Sequence, residues 1–296
     1  MKLRVCHIIT KLELGGAQRN TLYTLSHLNR GRYETFLLCG AGGLLDEEAR
    51  QLGLPITFIP SLIRPIHPPR DLWAAIALYR HLRRIKPHIV HTHSSKAGIL
   101  GRIAAYFAGV PVITHTFHGF GFTPNQKGII RRLLIGAERL CALLSTHLIF
   151  VAEENRRQAQ ALGIGSPTDS SLIRSGIVMQ CPKSSRVRQE LQIPENAWVI
   201  TSVGNFKPQK NPMDLAKVAA AVLQKDPAIH VLWVGDGELR PAMEKWVRDQ
   251  ALQEQIHFLG WRQDVSAILA VSNCFVLTSR WEGLPRALVE AFAAGL

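Results

Sequence analysis

The 296-residue sequence predicts an α/β protein made of two doubly wound, Rossmann-like domains. Three observations predict it. Short β-branched runs alternate along the chain with segments whose apolar residues recur at three- and four-residue spacing, the pattern of parallel strands covered by helices on both faces. Ten such runs are many for one sheet. The alternation also breaks between residues 165 and 195, a stretch rich in Ser, Pro and Gly, which places a boundary there. The domains are therefore drawn as residues 1–180 and 181–296.

In the first domain the expected strands are "LRVCHII", "ETFLLC", "PITFIP", "HIVHTH", "PVITHTF" and "THLIFVA", with a helical pattern between Leu72 and Lys86 as the type case. In the second they are "WVITSVG", "IHVLWVG", "IHFLG" and "CFVLTS", with a helix from Pro212 to Gln224. Ligands of such sheets bind beyond the carboxyl ends of strands, so the residues that follow each strand are the candidates.

After the first strand stand Gly15 and Gly16, directly before a helix. A glycine pair lets a ligand approach the backbone, and the helix start offers free N–H groups to phosphate; a tight turn is the alternative. Neither a G-x-G-x-x-G nor a G-x-x-x-x-G-K-[ST] pattern occurs, which removes the main support for a dinucleotide or P-loop site. His91, His93, His115 and His118 fall at the ends of two strands. His91 and His93 share a strand face, as metal ligands can, but no nearby carboxylate or cysteine completes a set, and no metal is expected. His118, set in "FHGFGF", is placed to donate a hydrogen bond at a cleft edge.

In the second domain "VGNFKPQKNP" brings Asn205, Lys207 and Lys210 beside a helix start, two sources of positive potential for a diphosphate. "VGDGELR" follows the next strand in the same way. Glu282 lies in the loop after "CFVLTS", and Pro285 suits the first turn of the following helix. From Ala287 to Leu296 the one charged residue is Glu290. A helix that is apolar on nearly all sides is expected to be buried, and a carboxylate inside it needs strong donors: ribose hydroxyls, backbone, or an arginine.

The composition excludes several classes. At 47% hydrophobic content a sizeable core is available, yet no apolar run reaches the ~18 residues of a spanning helix. The stretch before Lys11 and Glu13 is too short for a secretory signal, so the chain is expected in the cytoplasm. The five cysteines, Cys6, Cys39, Cys141, Cys181 and Cys274, are scattered and read as buried thiols. Residues 1–180 carry 22 Lys and Arg against 10 Asp and Glu, whereas residues 181–296 carry 13 against 12. Such a basic half suits phosphorylated substrates or an anionic membrane; without a recognition motif, nucleic acid is not expected.

Taken in order, "GGAQ", "HTHSSKAGILGR", "FHGF", "VGNFKPQKNP", "VGDGELR", "HFLGWRQDV" and above all "EGLPRALVE" resemble the retaining glycosyltransferases of family 4 over the whole chain. The resemblance implies the GT-B fold, in which two Rossmann-like domains face each other across a cleft. It implies transfer of a sugar from a nucleotide diphosphate, a UDP-sugar, to a glycan or polyprenyl-linked acceptor with retained configuration, in surface polysaccharide synthesis, without metal or other cofactor. By the same resemblance Glu290 binds the donor ribose, while Glu282, Gly283 and Leu284 meet the donor sugar. Lys210 binds phosphate, Gly16 packs on the diphosphate, and His118 stands near the reacting sugar. Asn205 occupies a position where many members have arginine, with Lys207 as the neighbouring cation. Lys127, Arg131 and Arg132 beside Ile129, Ile130, Leu133 and Leu134 are consistent with a peripheral anionic membrane contact. Family members continue beyond "AAGL", so the second domain is expected to be incomplete. The rival readings are a non-catalytic nucleotide-sugar-binding subunit and another GT-B enzyme such as an epimerase.

Overall fold

A computed structural model describes residues 2–122, 126–177 and 186–296. The chain forms two compact units, Met1–Ser175 and Gly176–Leu296; the expected boundary between residues 180 and 181 lies outside the described residues, as do Cys181 and its surroundings.

Unit 1 runs β1 (Leu3–Lys11), α1 (Gly16–His27), β2 (Tyr33–Gly40), α2 (Asp46–Gln51), β3 (Ile56–Phe58), α3 (Pro68–Ile85), β4 (Ile89–His93), α4 (Ser95–Phe107), β5 (Val112–Phe117), α5 (Gly128–Leu143), β6 (His147–Phe150), α6 (Glu153–Ala161) and β7 (Ser170–Leu172). The seven strands lie in the order β3-β2-β1-β4-β5-β6-β7, every pair parallel. Strand order reverses between β1 and β4, which opens a crevice at their carboxyl ends. Alternation along β1 sends Cys6 and Ile8 to the α3–α4 layer and Ile9 to the α1 layer.

Helix α4 sits close on the sheet because its glycines allow it. A Cβ on Gly98 would come 2.5 Å from His115 Cε1, and one on Gly101 2.9 Å from Thr92 Cγ2. Arg102, one turn on, is fully buried; its Nε donates to Gly98 O at 2.8 Å and its Nη2 to Glu138 Oε2 on α5. Glu138, which interrupts an apolar run in the sequence, is thus an interior ion-pair partner.

Unit 2 runs α7 (Val187–Glu190), β8 (Val199–Val203), a 3-10 turn (Pro208–Lys210), α8 (Pro212–Leu223), β9 (His230–Val234), α9 (Arg240–Asp249), β10 (Ile256–Gly260), α10 (Val265–Ala270), β11 (Cys274–Phe275) and α11 (Arg286–Ala293). Its four parallel strands take the order β10-β9-β8-β11, so order reverses between β8 and β11.

All ten expected strands are present. The departures are local. Ser170–Leu172, inside the stretch read as irregular, adds β7 at the edge beside β6. "CFVLTS" is a strand over Cys274–Phe275 alone, after which the chain turns out of the sheet. The helix carrying Glu290 is not buried on nearly all sides: Ala291 is its buried residue and Phe292 is 67% exposed. An eight-residue helix packed chiefly beside α10 keeps an apolar face in solvent. Cys6, Cys39 and Cys141 are buried and Cys274 half-buried, all as free thiols. Among the described residues no helix is long and apolar enough to cross a membrane.

Removing one partner of a buried pair strands the other charge. Glu138→Ala is expected to cost unit 1 about 3–5 kcal/mol, and the paired change Arg102→Met with Glu138→Leu much less. Urea midpoints of the three proteins check this.

Candidate functional site

In unit 2 the candidate residues converge on the reversal between β8 and β11. Two glycine turns interlock there. Gly235, at φ +134 after β9, lies so close to the β8 exit that a Cβ would stand 2.2 Å from Gly204 O. Phe206 N then donates to Asp236 O at 3.0 Å, and Leu239 N to Phe206 O at 3.0 Å, with the Phe206 ring fully buried. This fixes Asn205 and Lys207, both half-buried, and leads the chain into the 3-10 turn that ends at Lys210. Asn211 follows at φ 52 as the N-cap of α8, so Lys210 stands directly before a helix start.

The loop after β11 docks on this turn. Thr278 Oγ1 lies 3.2 Å from Lys210 O and 3.1 Å from Asn211 O, Arg280 N donates to Gln209 O at 2.8 Å, and Gln209 Nε2 donates to Trp281 O at 3.0 Å. These bonds carry Glu282 onto Lys210, and the two form an ion pair, each about a quarter exposed or less. Gly283 and Leu284 make the bend before α11. Glu290, one turn into α11, accepts from Arg286 Nε at 2.7 Å through Oε1. The strong donor its carboxylate requires is therefore Arg286, with Oε2 outside that bond. Arg286 Nη1 and Ser279 Oγ are buried with no hydrogen-bond partner among the described residues. Orphaned polar atoms at a sheet's carboxyl edge mark a place where a ligand has hydrogen bonds to make.

In unit 1 Gly15 caps α1 in an extended conformation, φ −159, and Gly16 is its first residue. The nearest atom to a Cβ on Gly15 is Gln18 Oε1, at 2.6 Å. Among the described residues only the movable Gln18 side chain, and no backbone group, crowds that position. At the β1–β4 reversal Thr10 Oγ1 and Ser94 Oγ are 2.7 Å apart, and Ala97 N donates to Thr10 Oγ1 at 3.2 Å. Ser94 is held at φ 61, ψ 152, a region that costs a non-glycine residue on the order of 1–3 kcal/mol and is found at functional positions.

His118 leaves β5 just before Gly119, whose φ of +150 few side chains could adopt. Its Nε2 lies 3.2 Å from His93 Nδ1, and His93 Nε2 lies 2.9 Å from His7 Nδ1. His91, paired in register with His7, has its Nε2 2.7 Å from Thr116 Oγ1. His7, His91 and His93 bring their nitrogens within 4.8 Å of one another, a group able to hold a metal ion. Burial pushes His7 and His118 down to about 4 and holds His91, His93 and His115 well below the ordinary imidazole value, with repulsion from neighbouring rings adding to it at the last three.

Lys210 and Glu282 thus touch; Asn205, Lys207, Gly283 and Leu284 line the same strand reversal; Glu290 is tied to Arg286; and Gly15, Gly16 and His118 belong to unit 1. The sequence reading misses His7, Ser94, Thr278 and Arg286. Only strand pairing places His7 on His91, whereas Arg286 was detectable as the cation four residues before Glu290.

Residues 14–179 match the family described as Glycosyltransferase Family 4, and residues 183–296 that described as Glycosyl transferases group 1. Over 307 residues, which take in 100% of this chain and 78% of the relative, the sequence is 34% identical to the UDP-Gal:alpha-D-GlcNAc-diphosphoundecaprenol alpha-1,3-galactosyltransferase of Escherichia coli. It is 40% identical over 277 residues to the Vi polysaccharide biosynthesis protein VipC/TviE of Salmonella typhi, covering 86% of this chain and 44% of that one. Among solved structures, Anabaena Alr3699/HepE in complex with UDP-glucose superimposes with a TM-score of 0.83 at 19% identity, covering 99% of this chain and 79% of that one; at that identity the likeness is one of fold.

Because these five rings of unit 1 bind protons less readily folded than unfolded, acid favours unfolding. Their contribution is complete above the ordinary imidazole value near 6.5 and is lost as pH falls from there towards about 4. The thermal midpoint of the protein is expected to drop across that window, and less so in His7→Asn; a midpoint flat from pH 6.5 to about 4 contradicts the assignment.

Proposed function

This chain belongs to the family 4 glycosyltransferases of GT-B fold, and from that premise we propose that it transfers a sugar from a UDP-sugar to a glycan or lipid-linked acceptor with retained configuration. The observation that carries this reading is the ion pair of Lys210 and Glu282 at the reversal between β8 and β11, directly before the start of α8. A diphosphate meets there an ammonium and the N–H groups of a helix start. When it arrives, Lys210 exchanges a carboxylate for a phosphate, and Glu282 is released to accept bonds from sugar hydroxyls. Glu290, with Oε1 held by Arg286, offers Oε2 to the ribose.

As the bond to the sugar breaks, negative charge grows on the leaving phosphate. A fixed cation and a helix start that hold it more strongly in that state lower the barrier, and no metal or other cofactor is needed for this stabilisation. In unit 1 this reading makes His118 a hydrogen-bond donor to a sugar and gives the Gly15–Gly16 turn the part of admitting a phosphate to the start of α1. Support for the donor comes from the relatives: the Escherichia coli protein is named for UDP-Gal and a diphosphoundecaprenol acceptor, and the Anabaena protein was solved with UDP-glucose.

A lipid-linked acceptor requires the enzyme to work at a membrane surface, and α5 supplies a matching face. Ile129, Leu133, Leu140 and Leu143 are each more than half exposed along one stripe, while Ile135, Glu138 and Cys141 face inward. Lys127, Arg132 and Arg139 are exposed around the stripe. An apolar stripe edged with cations suits an anionic bilayer, each cation adding on the order of 1 kcal/mol.

Lys210→Ala and Glu290→Ala are each expected to weaken UDP binding by about 10- to 100-fold in calorimetry, in line with the loss of a charged hydrogen bond; unchanged affinity in folded variants removes the site. His118→Ala is expected to leave UDP affinity intact while abolishing transfer from UDP-galactose to a polyprenyl-diphosphate sugar. Leu133→Glu with Leu140→Glu should release the protein from vesicles containing phosphatidylglycerol, and retention of the variant on them excludes α5 as the contact.

A further inference from the structure

Unit 1 holds a chain of three histidine rings of which only the last, His118, has a part in the proposed transfer. His118 Nε2 and His93 Nδ1 are 3.2 Å apart, and His93 Nε2 and His7 Nδ1 are 2.9 Å apart. The rings of His7 and His93 are nearly parallel, with centroids 5.2 Å apart and 10° between planes. His7 and His93 are buried, while His118 is partly exposed.

Counting protons fixes the direction of these bonds. Burial keeps all three rings neutral near pH 7, and at His93 the neighbouring rings, His91 and His115 among them, add repulsion against a further proton. A neutral imidazole carries one N–H. Two of the three protons serve the two bonds, so the third sits at an end of the chain, on His7 Nε2 or on His118 Nδ1. An N–H in the apolar interior needs an acceptor or costs free energy. At His118 water or a ligand can accept it. The third proton therefore belongs on His118 Nδ1, His93 donates to His118, and His7 donates to His93.

The separation of 2.9 Å between the His7 and His93 nitrogens is that of a hydrogen bond. Two imidazoles bound to a tetrahedral zinc ion at about 2.0–2.1 Å each would hold their nitrogens about 3.3 Å apart. His91 meanwhile turns its Nε2 to Thr116.

We propose that His93 and His7 are positioning residues that lock His118 in the Nδ1–H tautomer with Nε2 turned inward, so that His118 meets its ligand only as a donor. The proposal rests on the reading above that makes His118 a hydrogen-bond donor to a sugar, and it adds the reason why this ring can act in one protonation state. Without His93 the ring would be free to flip and to mix tautomers, and part of the population would present a lone pair to the oxygens of the sugar or phosphate.

The test is nitrogen-15 NMR of the full chain labelled at histidine, at pH 7, with His118 assigned through His118→Gln. The expected spectrum has His118 Nδ1 protonated and Nε2 of the imine type. In His93→Leu the His118 signals should move to averaged values that reveal an Nε2–H population. His93→Asn, whose amide nitrogen can stand in for Nδ1, should restore the original pattern. An Nε2–H tautomer in the unaltered protein overturns the proposal, as does a His118 spectrum indifferent to His93→Leu, or one equivalent of zinc found in the purified chain by elemental analysis. The unaltered spectrum decides the matter even where the leucine variant fails to fold. No turnover enters this readout, so sugar transfer surviving in His118→Ala would sink the functional reading while leaving the tautomer result in place.

Discussion

A parallel sheet whose strand order reverses cannot be covered at the reversal, because the crossover helices on the two sides depart in opposite directions. The carboxyl ends of β1 and β4, and those of β8 and β11, are such places. Nearly every polar feature of interest gathers at one or the other. Thr10, Ser94 and the start of α4 close on each other at the first, and Lys210, Thr278 and Glu282 at the second. Both reversals also carry a non-glycine residue at positive φ, Ser94 at 61° and Asn211 at 52°. Asn211, at ψ 55, is in the left-handed helical region that asparagine accepts readily, whereas Ser94, at ψ 152, is in a region that few residues other than glycine adopt. Local strain is tolerated there because the surrounding sheet determines the backbone on either side.

The two units handle charge in different ways. Around the reversal in unit 2 each carboxylate is matched within the site itself: Glu282 by Lys210, Glu290 by Arg286. These pairs are partly exposed, so each contributes modestly to stability and can exchange partners at small cost. The pair of Arg102 and Glu138 in unit 1 is different. It is sealed between α4 and α5, and its removal from water must be offset by its own short contact and by the bond to Gly98. The first kind of pair suits a place that must open to an anion, the second a joint between helices.

Much of this is legible in the sequence, and the parts that are not share one cause. Lys210, Glu282 and the glycine turns can be found because they lie within a few residues of a strand end, and local pattern suffices to locate that end. The Lys210–Glu282 contact joins residues 72 apart in the chain, and no local pattern expresses it. His7 looks like any polar residue in "VCHIIT" until β1 pairs with β4 and sets it opposite His91. The edge strand Ser170–Leu172 has little strand propensity of its own and exists because β6 offers it a partner. The half-exposed α11 misleads for the opposite reason: its apolar residues signal burial, yet what a helix buries is decided by its neighbours, here chiefly α10.

The histidines raise a question that composition makes sharper. The first 180 residues carry 22 Lys and Arg against 10 Asp and Glu, so the unit that contains the buried rings is also the strongly positive one. A cationic imidazole there would suffer desolvation, and at His115 also the repulsion of Arg102, which is already matched to Glu138. Neutral rings avoid both penalties, but a neutral ring leaves its proton free to sit on either nitrogen. Hydrogen bonding in series removes that freedom, since each link commits one nitrogen as donor and the next as acceptor. Burial thus excludes the charged form, and the chain of rings selects between the neutral ones. Together they leave His118 one state in which to meet a ligand, that of a hydrogen-bond donor.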